Sequence, residues 1–322
     1  LTDHGNMYGI KELLDYCKAL NEQRQKKAKA EGTDFVPFKP IVGIEAYCAR
    51  RGRKSRNKDD KAITGDGKQY VIDMSGWHLI LLAKDMQGYR NLCKIASESF
   101  MDESFYRTAR IDKELLQQYH EGLICSSACL GGELPQKIMA ALTHELAEGK
   151  GIDEAIEKGV FHEAEATIKW FKELFGEDYY IELQRHETQK PGGDQETYIR
   201  QKQVNPILIA LAHKYGIKII CTNDVHFVRE EHAEAHDRLI CLSTNHFIDD
   251  TDRMHYTKQE WLKSPQEMAD IFSDLPEALE NTQDIVNKVE IYDIDSDPIM
   301  PKFPIPEAFG TEDNYRQRFS EE

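Results

Sequence analysis

Cys221-Thr222-Asn223-Asp224-Val225-His226 follows directly on the apolar run Ile217 to Ile220. A short apolar run bounded by turn residues reads as a buried strand, so a carboxylate and an imidazole two residues apart fall just past its C-terminal end. Side chains delivered from several strand ends can converge on one point. Leu1-Thr2-Asp3-His4-Gly5 repeats the pattern, as the tail of a strand handing an acid and a His to a loop. Two strand ends armed in this way point to a metal site.

Outward from these stretches the chain alternates strands and helices. Ile10, Leu13, Leu14, Cys17 and Leu20 recur at helical spacing and predict a helix over 8–31, ending near Gly32. Residues 40–47 predict a strand in which Glu45 is the only charge, and 78–83 predict another. Helices are expected over 86–99 and, opened by an Asp112 cap, over 112–119. A strand at 122–127 leads into the turn-rich 128–133, followed by helical patterns at 134–147 and 153–175. The β-formers of 178–184 make a strand, and 194–215 is the helix before the Cys221 strand. This alternation predicts a parallel sheet or barrel with helices outside and a site at the C-terminal strand ends. After residue 228 helical segments near 231–243, 264–272 and 276–289 give way to 291–306, whose four prolines read as an extended tether. Thr311 to Glu322 reads as the start of a helix.

The 322 residues suffice for a full core, and no apolar stretch approaches a membrane span. No signal peptide is evident, although a first residue of Leu leaves room for a trimmed leading segment. Seven cysteines without a CxxC pair fit a reducing cytoplasm. A formal net charge of -16 argues against a chain that simply wraps nucleic acid. Against that trend, Arg50, Arg51, Arg53, Lys54, Arg56, Lys58 and Lys61 crowd a stretch without periodicity. A solvated, mobile insertion over 50–76 is the favoured reading, and a local handle for phosphate backbone is its rival. No GxSxG elbow, P-loop or GxGxxG is found.

The polar groups near strand ends form a set: Asp3, His4, Glu45, His78, Cys129, Glu182, His186, Asp224 and His226. Imidazole, carboxylate and thiolate are the ligands of zinc, iron or manganese. Glu45 is the most telling, because an unpaired carboxylate in an apolar strand is costly unless a metal or an Arg accompanies it. His78, beside Trp77, reads equally well as a structural His. Cys129 has a plain alternative as a small buried hydrophobe, but its place among Gly131, Gly132, Ser126 and Ser127 favours a loop closing on a ligand. Glu182 and His186 read as supporting or surface groups. His120, His144, His162, His213, His232, His236, His246 and His255 are expected not to be ligands.

Read as a whole, the chain resembles the PHP domain at the N-terminus of bacterial replicative DNA polymerase III alpha subunits. The resemblance runs through residues 1–9 (LTDHGNMYG), 42–47 (VGIEAY), 78–84 (HLILLAK), 127–135 (SACLGGELP), 222–226 (TNDVH) and 274–282 (DLPEALENT). Residues 301–306 (PKFPIP) look like the passage from that domain toward the polymerase body. The resemblance implies a PHP domain over 1–290, with 50–76 as an inserted loop, and a Pro-rich linker with the start of the polymerase body over 291–322. The implied fold is a distorted seven-stranded β/α barrel with a helical and Pro-rich C-terminal extension.

By the same resemblance His4, Glu45, His78, Cys129, Asp224 and His226 match metal-ligand positions, with Asp3 beside them, and Asp224, His226 and Glu45 are the expected catalytic residues. The family's site holds up to three divalent ions (zinc, manganese or iron), is phosphoesterase-like, and has been linked to 3′ to 5′ exonuclease chemistry. The parent enzyme implied is a DNA-directed DNA polymerase of chromosomal replication, whose palm carboxylates lie outside this chain. The implied partners are the remainder of the polymerase, a proofreading exonuclease, a sliding clamp and DNA, with no membrane. The family begins with a strand carrying His-x-His and a further ligand, upstream of Leu1 here. The native protein is expected to carry that strand, and this piece to bind fewer ions than the whole. Two other readings remain open, an inert domain bracing the polymerase and docking the exonuclease, and a stand-alone phosphatase of the histidinol-phosphate type.

Overall fold

In a computed structural model the protein is described over residues 1–63, 69–74, 76–301, 308 and 310–321. Nine strands can be named: β1 (Thr2–His4), β2 (Gly43–Ala49), β3 (Lys61–Ile63), β4 (Gln69–Val71), β5 (Gly76–Ala83), β6 (Arg110–Ile111), β7 (Leu123–Ser126), β8 (Tyr179–Leu183) and β9 (Lys218–Cys221). Seven of them form one sheet in the order β1-β2-β5-β7-β8-β9, with β6 also paired to β2. The result is a mixed α/β fold whose sheet is largely parallel, of the kind a PHP-type barrel requires. Strands β1 and β6 lie end to end along one edge of β2, with His4 beside Glu45 and Arg110 beside Tyr47.

One strand departs from the expected parallel arrangement. β5 runs antiparallel to both β2 and β7. Its first residues therefore lie at the end of the sheet where the parallel strands finish, and His78, third in β5, stands directly across from Tyr47. A strand entered from the opposite direction carries its site residue at its start rather than past its end.

The helices follow the apolar periodicity, with breaks where the backbone demands them. Helix Ile10–Glu31 stops at Gly32, whose left-handed φ of 67° suits a residue without Cβ. Asp112 caps helix Lys113–Tyr119 by accepting from the Leu115 amide. The pattern over 134–147 resolves into Glu133–Ala140 and His144–Ala147, because Thr143 starts a new cap on the Leu146 amide. The pattern over 153–175 splits into Ile152–Glu157 and His162–Phe175 at Gly159, which has a φ of 72°. None of the described helices is long and apolar enough to cross a membrane.

The sheet buries Ile44, Ala46 and Cys48 of β2 and Leu79, Leu81 and Ala83 of β5. Period-two alternation accounts for this, since the intervening Glu45, Tyr47 and His78 are thereby turned to the other face. Helix Met86–Ser99 covers β5 with Leu92 and Ile95, both fully buried. Helix Pro276–Lys288 closes the β9 side, where Ile285 and Val289 join Ile124, Tyr180 and Ile220 in one apolar cluster. Each such side chain contributes roughly 1.5–3 kcal/mol through removal from water.

Two compact units emerge, Leu1–Ile291 and Tyr292–Glu322. The second contains helix Glu312–Glu321. Most of the Pro301–Pro306 passage singled out in the sequence lies outside the described residues.

The described part of the 50–76 insertion corrects the expectation of a mobile loop. Arg53 is buried and pairs with Asp112 at 2.7 Å, and Asp73 is buried, accepting from the Ser55 hydroxyl and the Asn57 amide at 2.6 Å each. β3 and β4 form a hairpin. At its base the fully buried Arg110 donates to the carbonyls of Ser55 (3.0 Å), Asp73 (2.7 Å) and Ser104 (3.0 Å), and also to that of Arg53. Charge-dense sequence thus packs because one guanidinium from elsewhere in the chain satisfies its carbonyls, which a search for apolar periodicity does not detect. Arg110→Met should leave those carbonyls buried and unpaired, lowering stability by about 3 kcal/mol or more. Urea denaturation would measure the loss, and limited proteolysis should show new cuts within 50–74 before global unfolding.

Candidate metal centre

Glu45 lies on the face of β2 that carries Tyr47, and the strand register places His4 next to it and His78 across from Tyr47. The carboxylate is 5% exposed. Its Oε1 is 2.8 Å from His78 Nδ1 and its Oε2 is 3.4 Å from His4 Nε2. One donor atom from each of the three residues lies within 4.8 Å of the other two. The Tyr47 hydroxyl, 3.4 Å from His4 Nδ1, orients that ring so that Nε2 faces the carboxylate.

Cys129 joins from the turn between β7 and helix Glu133–Ala140. Its Sγ is 3.4 Å from His78 Nδ1 and accepts from the Gly131 amide at 3.4 Å. The turn packs flat on the imidazole: a Cβ on Gly131 would stand 3.0 Å from His78 Nδ1, so the approach depends on glycine there. The His78 amide donates to the Gly131 carbonyl at 3.0 Å, locking strand and turn together.

Asp224 and His226 stand past β9, with His226 Nε2 3.4 Å from Asp224 Oδ1. The His226 ring stacks 5.8 Å from that of His4, so this pair and the His4–Glu45–His78 triad are contiguous. Asp224 takes a φ of 45°, a conformation Asp tolerates better than most residues. Its neighbour Asn223 anchors the loop, donating to the carbonyls of Gln259 (2.9 Å) and Trp261 (2.7 Å). Behind it, Gln201 Nε2 lies 3.1 Å from His186 Nδ1, and His186 Nε2 lies 3.2 Å from the Asn223 carbonyl. The Gln201 amide donates to Nδ1, which assigns the imidazole proton to Nε2, pointed at that carbonyl.

Of the residues singled out in the sequence, His4, Glu45, His78, Cys129, Asp224 and His226 come together. Asp3 does not: its carboxylate accepts from the Gly9 amide at 3.0 Å, at the start of the first helix. Glu182 and His186 are both buried, which rules out their surface alternative. Glu182 ties β8 to its neighbours by accepting from Ser126, Thr222 and Gln184. His236, set aside as a helix-face residue, packs 5.6 Å from the His226 ring, and Tyr256 lies 4.7 Å from it. Tyr47 was legible as the next inward residue after Glu45 in a period-two strand. Tyr256 and Glu260, whose carbonyl accepts from the His226 amide at 2.8 Å, carry no such signal.

The electrostatics of the site are set by partial burial and by its neighbouring charges. Burial pushes the Cys129 thiol well above its ordinary value, and the charges of Asp224 and Glu45 add to the shift. Burial also raises the Glu182 carboxyl despite its hydrogen bonds. For Asp224 burial works upward, but the hydrogen bond and charge of His226, with His186 and His4 behind it, hold the carboxyl below its ordinary range. For His226 burial works downward, but Asp224 outweighs it and the imidazole is raised. Burial lowers His4, and His78 and His226 reinforce the shift against Glu45.

Among the described residues the ion-pair partners of Glu45 are the two imidazoles, and that of Asp224 is His226. A set of two carboxylates, three imidazoles and a thiol, built around the buried Glu45 and, among the described residues, paired with neither Lys nor Arg, fits divalent cations of the zinc, iron or manganese type.

NMR titration of the metal-free protein should place His226 above the ordinary imidazole value and His4 below it, and Asp224→Asn should bring His226 down. The pair's stabilisation is complete between the ordinary carboxyl and imidazole values. It is lost on acidification as Asp224 protonates through its depressed pKa, and on alkalinisation as His226 deprotonates through its raised one. Thermal melts of wild type and Asp224→Asn should therefore differ most at weakly acidic pH.

Comparison with known proteins identifies relatives of the chain. Residues 1–186 match the family model described as the PHP domain. The chain is 36% identical over 322 residues to the DNA polymerase III subunit alpha of Borreliella burgdorferi, covering 99% of this chain and 23% of that protein. It is 34% identical over 315 residues to the subunit from Campylobacter jejuni, with 98% and 22% covered. For the Thermus aquaticus subunit the figures are 35% over 319 residues, with 96% and 21% covered. The chain thus spans less than a quarter of the length of these relatives.

Proposed function

Because the chain belongs to the PHP domain family and is similar over nearly its whole length to DNA polymerase III alpha subunits, we propose that it is the metal-binding PHP domain of such a replicative polymerase, with a phosphoesterase-like site capable of 3′ to 5′ exonuclease chemistry. The observation that carries this reading is the His4–Glu45–His78 triad, contiguous with Cys129 and with the Asp224–His226 pair. These six side chains would hold the ions. Divalent cations there supply Lewis-acid activation of water and neutralise charge on phosphoryl oxygens.

The chain's own residues prepare the site. Glu45 and Asp224 supply negative charge to the cluster, and Asp224 stands 3.4 Å from His226 Nε2, so that the His226 imidazole is set beside a carboxylate that can share its ion. Tyr47 fixes the His4 ring, while Tyr256 and His236 wall off the far side of His226. In the same proposal the parent is a DNA-directed DNA polymerase working in the cytoplasm on DNA, with the rest of its own chain, a proofreading exonuclease and a sliding clamp as partners.

The bracing-domain reading draws on one observation, that Glu45 is already hydrogen-bonded between two imidazoles and could serve as an internal strut. Mutagenesis separates the two. In the full-length polypeptide Glu45→Gln and His78→Ala should lower metal affinity by at least about tenfold to a hundredfold, the loss seen even for groups one step removed from an ion. Metal analysis after dialysis would read this. Asp224→Ala should abolish metal-dependent release of nucleotides from a single-stranded oligonucleotide while primer extension by the same preparation persists. Hydrolysis at the wild-type rate in Asp224→Ala would leave the bracing role as the correct one.

A further inference from the structure

The described part of the 50–76 insertion and the turn that follows helix Met86–Ser99 supply none of the residues of the metal centre, yet together they build a surface beside it. Tyr8, four residues beyond His4, is 80% exposed. Its ring lies 6.5 Å from that of Phe100, which stacks 6.0 Å from Phe105. Both phenylalanines are exposed as well. The turn enters β6 beside Tyr47, and Ala109 would stand 3.9 Å from a Cβ on Gly5, next to His4. The row of rings therefore runs up to the edge of the site.

Two cations accompany the rings. Arg56, from the insertion, donates to the Asp102 and Phe105 carbonyls and lies 5.7 Å from the Tyr106 ring centroid. Arg107 is exposed between Phe105 and β6, and no ion-pair partner is found for it among the described residues. Lys54 pairs with Glu103 at 3.0 Å. Counting Asp102, the patch carries three cations (Lys54, Arg56, Arg107) against two carboxylates (Asp102, Glu103), a local excess of positive charge in a chain of net charge -16.

The turn is not built for its own stability. Arg107 is held at a φ of 63°, and among the described residues the hydroxyls of Ser104, Tyr106 and Thr108 are buried without a hydrogen-bond partner. Strain and unsatisfied polar groups persist where the surrounding structure imposes them, and they concentrate at functional surfaces.

We propose that Tyr8, Phe100 and Phe105, flanked by Arg56 and Arg107, form a stacking platform that binds single-stranded DNA and guides its end to the metal centre. Every base has a face to stack on an aromatic ring, and arginines beside the rings take the phosphates, so this combination binds a strand without reading its sequence. A duplex offers no free base faces and gains only the phosphate contacts. The substrate class rests on the phosphodiester reading of the neighbouring site, while the platform itself is separable from it.

The test uses the full-length polypeptide. Ultraviolet crosslinking to a single-stranded oligonucleotide containing iododeoxyuridine, followed by peptide mapping, should give adducts on Tyr8, Phe100 and Phe105. The Tyr8→Ala, Phe100→Ala, Phe105→Ala variant should lose those adducts and release nucleotides from single strands at least about tenfold more slowly. It should retain wild-type metal content and hydrolysis of bis(p-nitrophenyl) phosphate, which needs the centre and not the platform. Arg107→Ala should reduce the salt dependence of crosslinking by roughly one ion, matching the single phosphate that its guanidinium would neutralise. A Phe100→Tyr, Phe105→Tyr variant keeps the ring faces and should preserve crosslinking should the alanine variant fold poorly. Adducts confined to other regions of the chain, or unaltered single-strand degradation in the well-folded alanine variant, would overturn the platform. Loss of polymerase assembly with DNA crosslinks unchanged would overturn it too, assigning the rings to a protein contact. If wild type fails to cleave the small diester but still crosslinks at the three rings, the platform stands and the phosphodiesterase reading falls.

Discussion

The buried carboxylate of Glu45 is the constraint on which the rest of the site depends. It sits in the middle of a strand whose alternate residues form the core, where an isolated negative charge would cost several kcal/mol. The protein meets that cost with two imidazoles brought in from strands on either side, His4 from β1 and His78 from β5. Each then needs its own support, Tyr47 for His4 and the Cys129–Gly131 turn for His78.

The reversal of β5 makes this convergence possible. Were β5 parallel to β2, a residue at its start would lie at the opposite end of the sheet from His4 and Asp224. Running antiparallel, it brings His78 opposite Tyr47, and the same reversal lets the turn after β7 fold back over the imidazole. On the far side, the Asp224–His226 loop is held by contacts made almost wholly behind it: Asn223 on the carbonyls of Gln259 and Trp261, and His186 on the Asn223 carbonyl. Two different scaffolds, a strand register and a loop clamp, deliver the two halves of one cluster.

The basic insertion illustrates how charge can be structural and functional in one segment. Arg53 is buried and consumed by Asp112, whereas Arg56 is exposed and holds the aromatic turn in place. The composition of the segment is uniform, but the roles of its arginines differ with what each one faces.

Alternation and strand-end chemistry in the sequence were enough to determine where six of the nine named strands and most helices lie, but not the short β3, β4 and β6; they also showed that Glu45 is a buried acid in need of a partner and that Asp224 and His226 stand at a strand end. Those properties are local: they depend on periods of two and 3.6 residues and on turn residues nearby. Tyr47 was legible by the same logic. The tertiary structure alone decided that β5 is antiparallel, that Asp3 turns to the first helix while His4 turns to Glu45, that His236 and Tyr256 wall the site, and that the described part of a charge-rich insertion is pinned. Each of those depends on contacts between residues far apart in the chain, such as Arg110 with the carbonyls of Ser55 and Asp73. The periodicity of a single segment carries no information about which distant group will meet it.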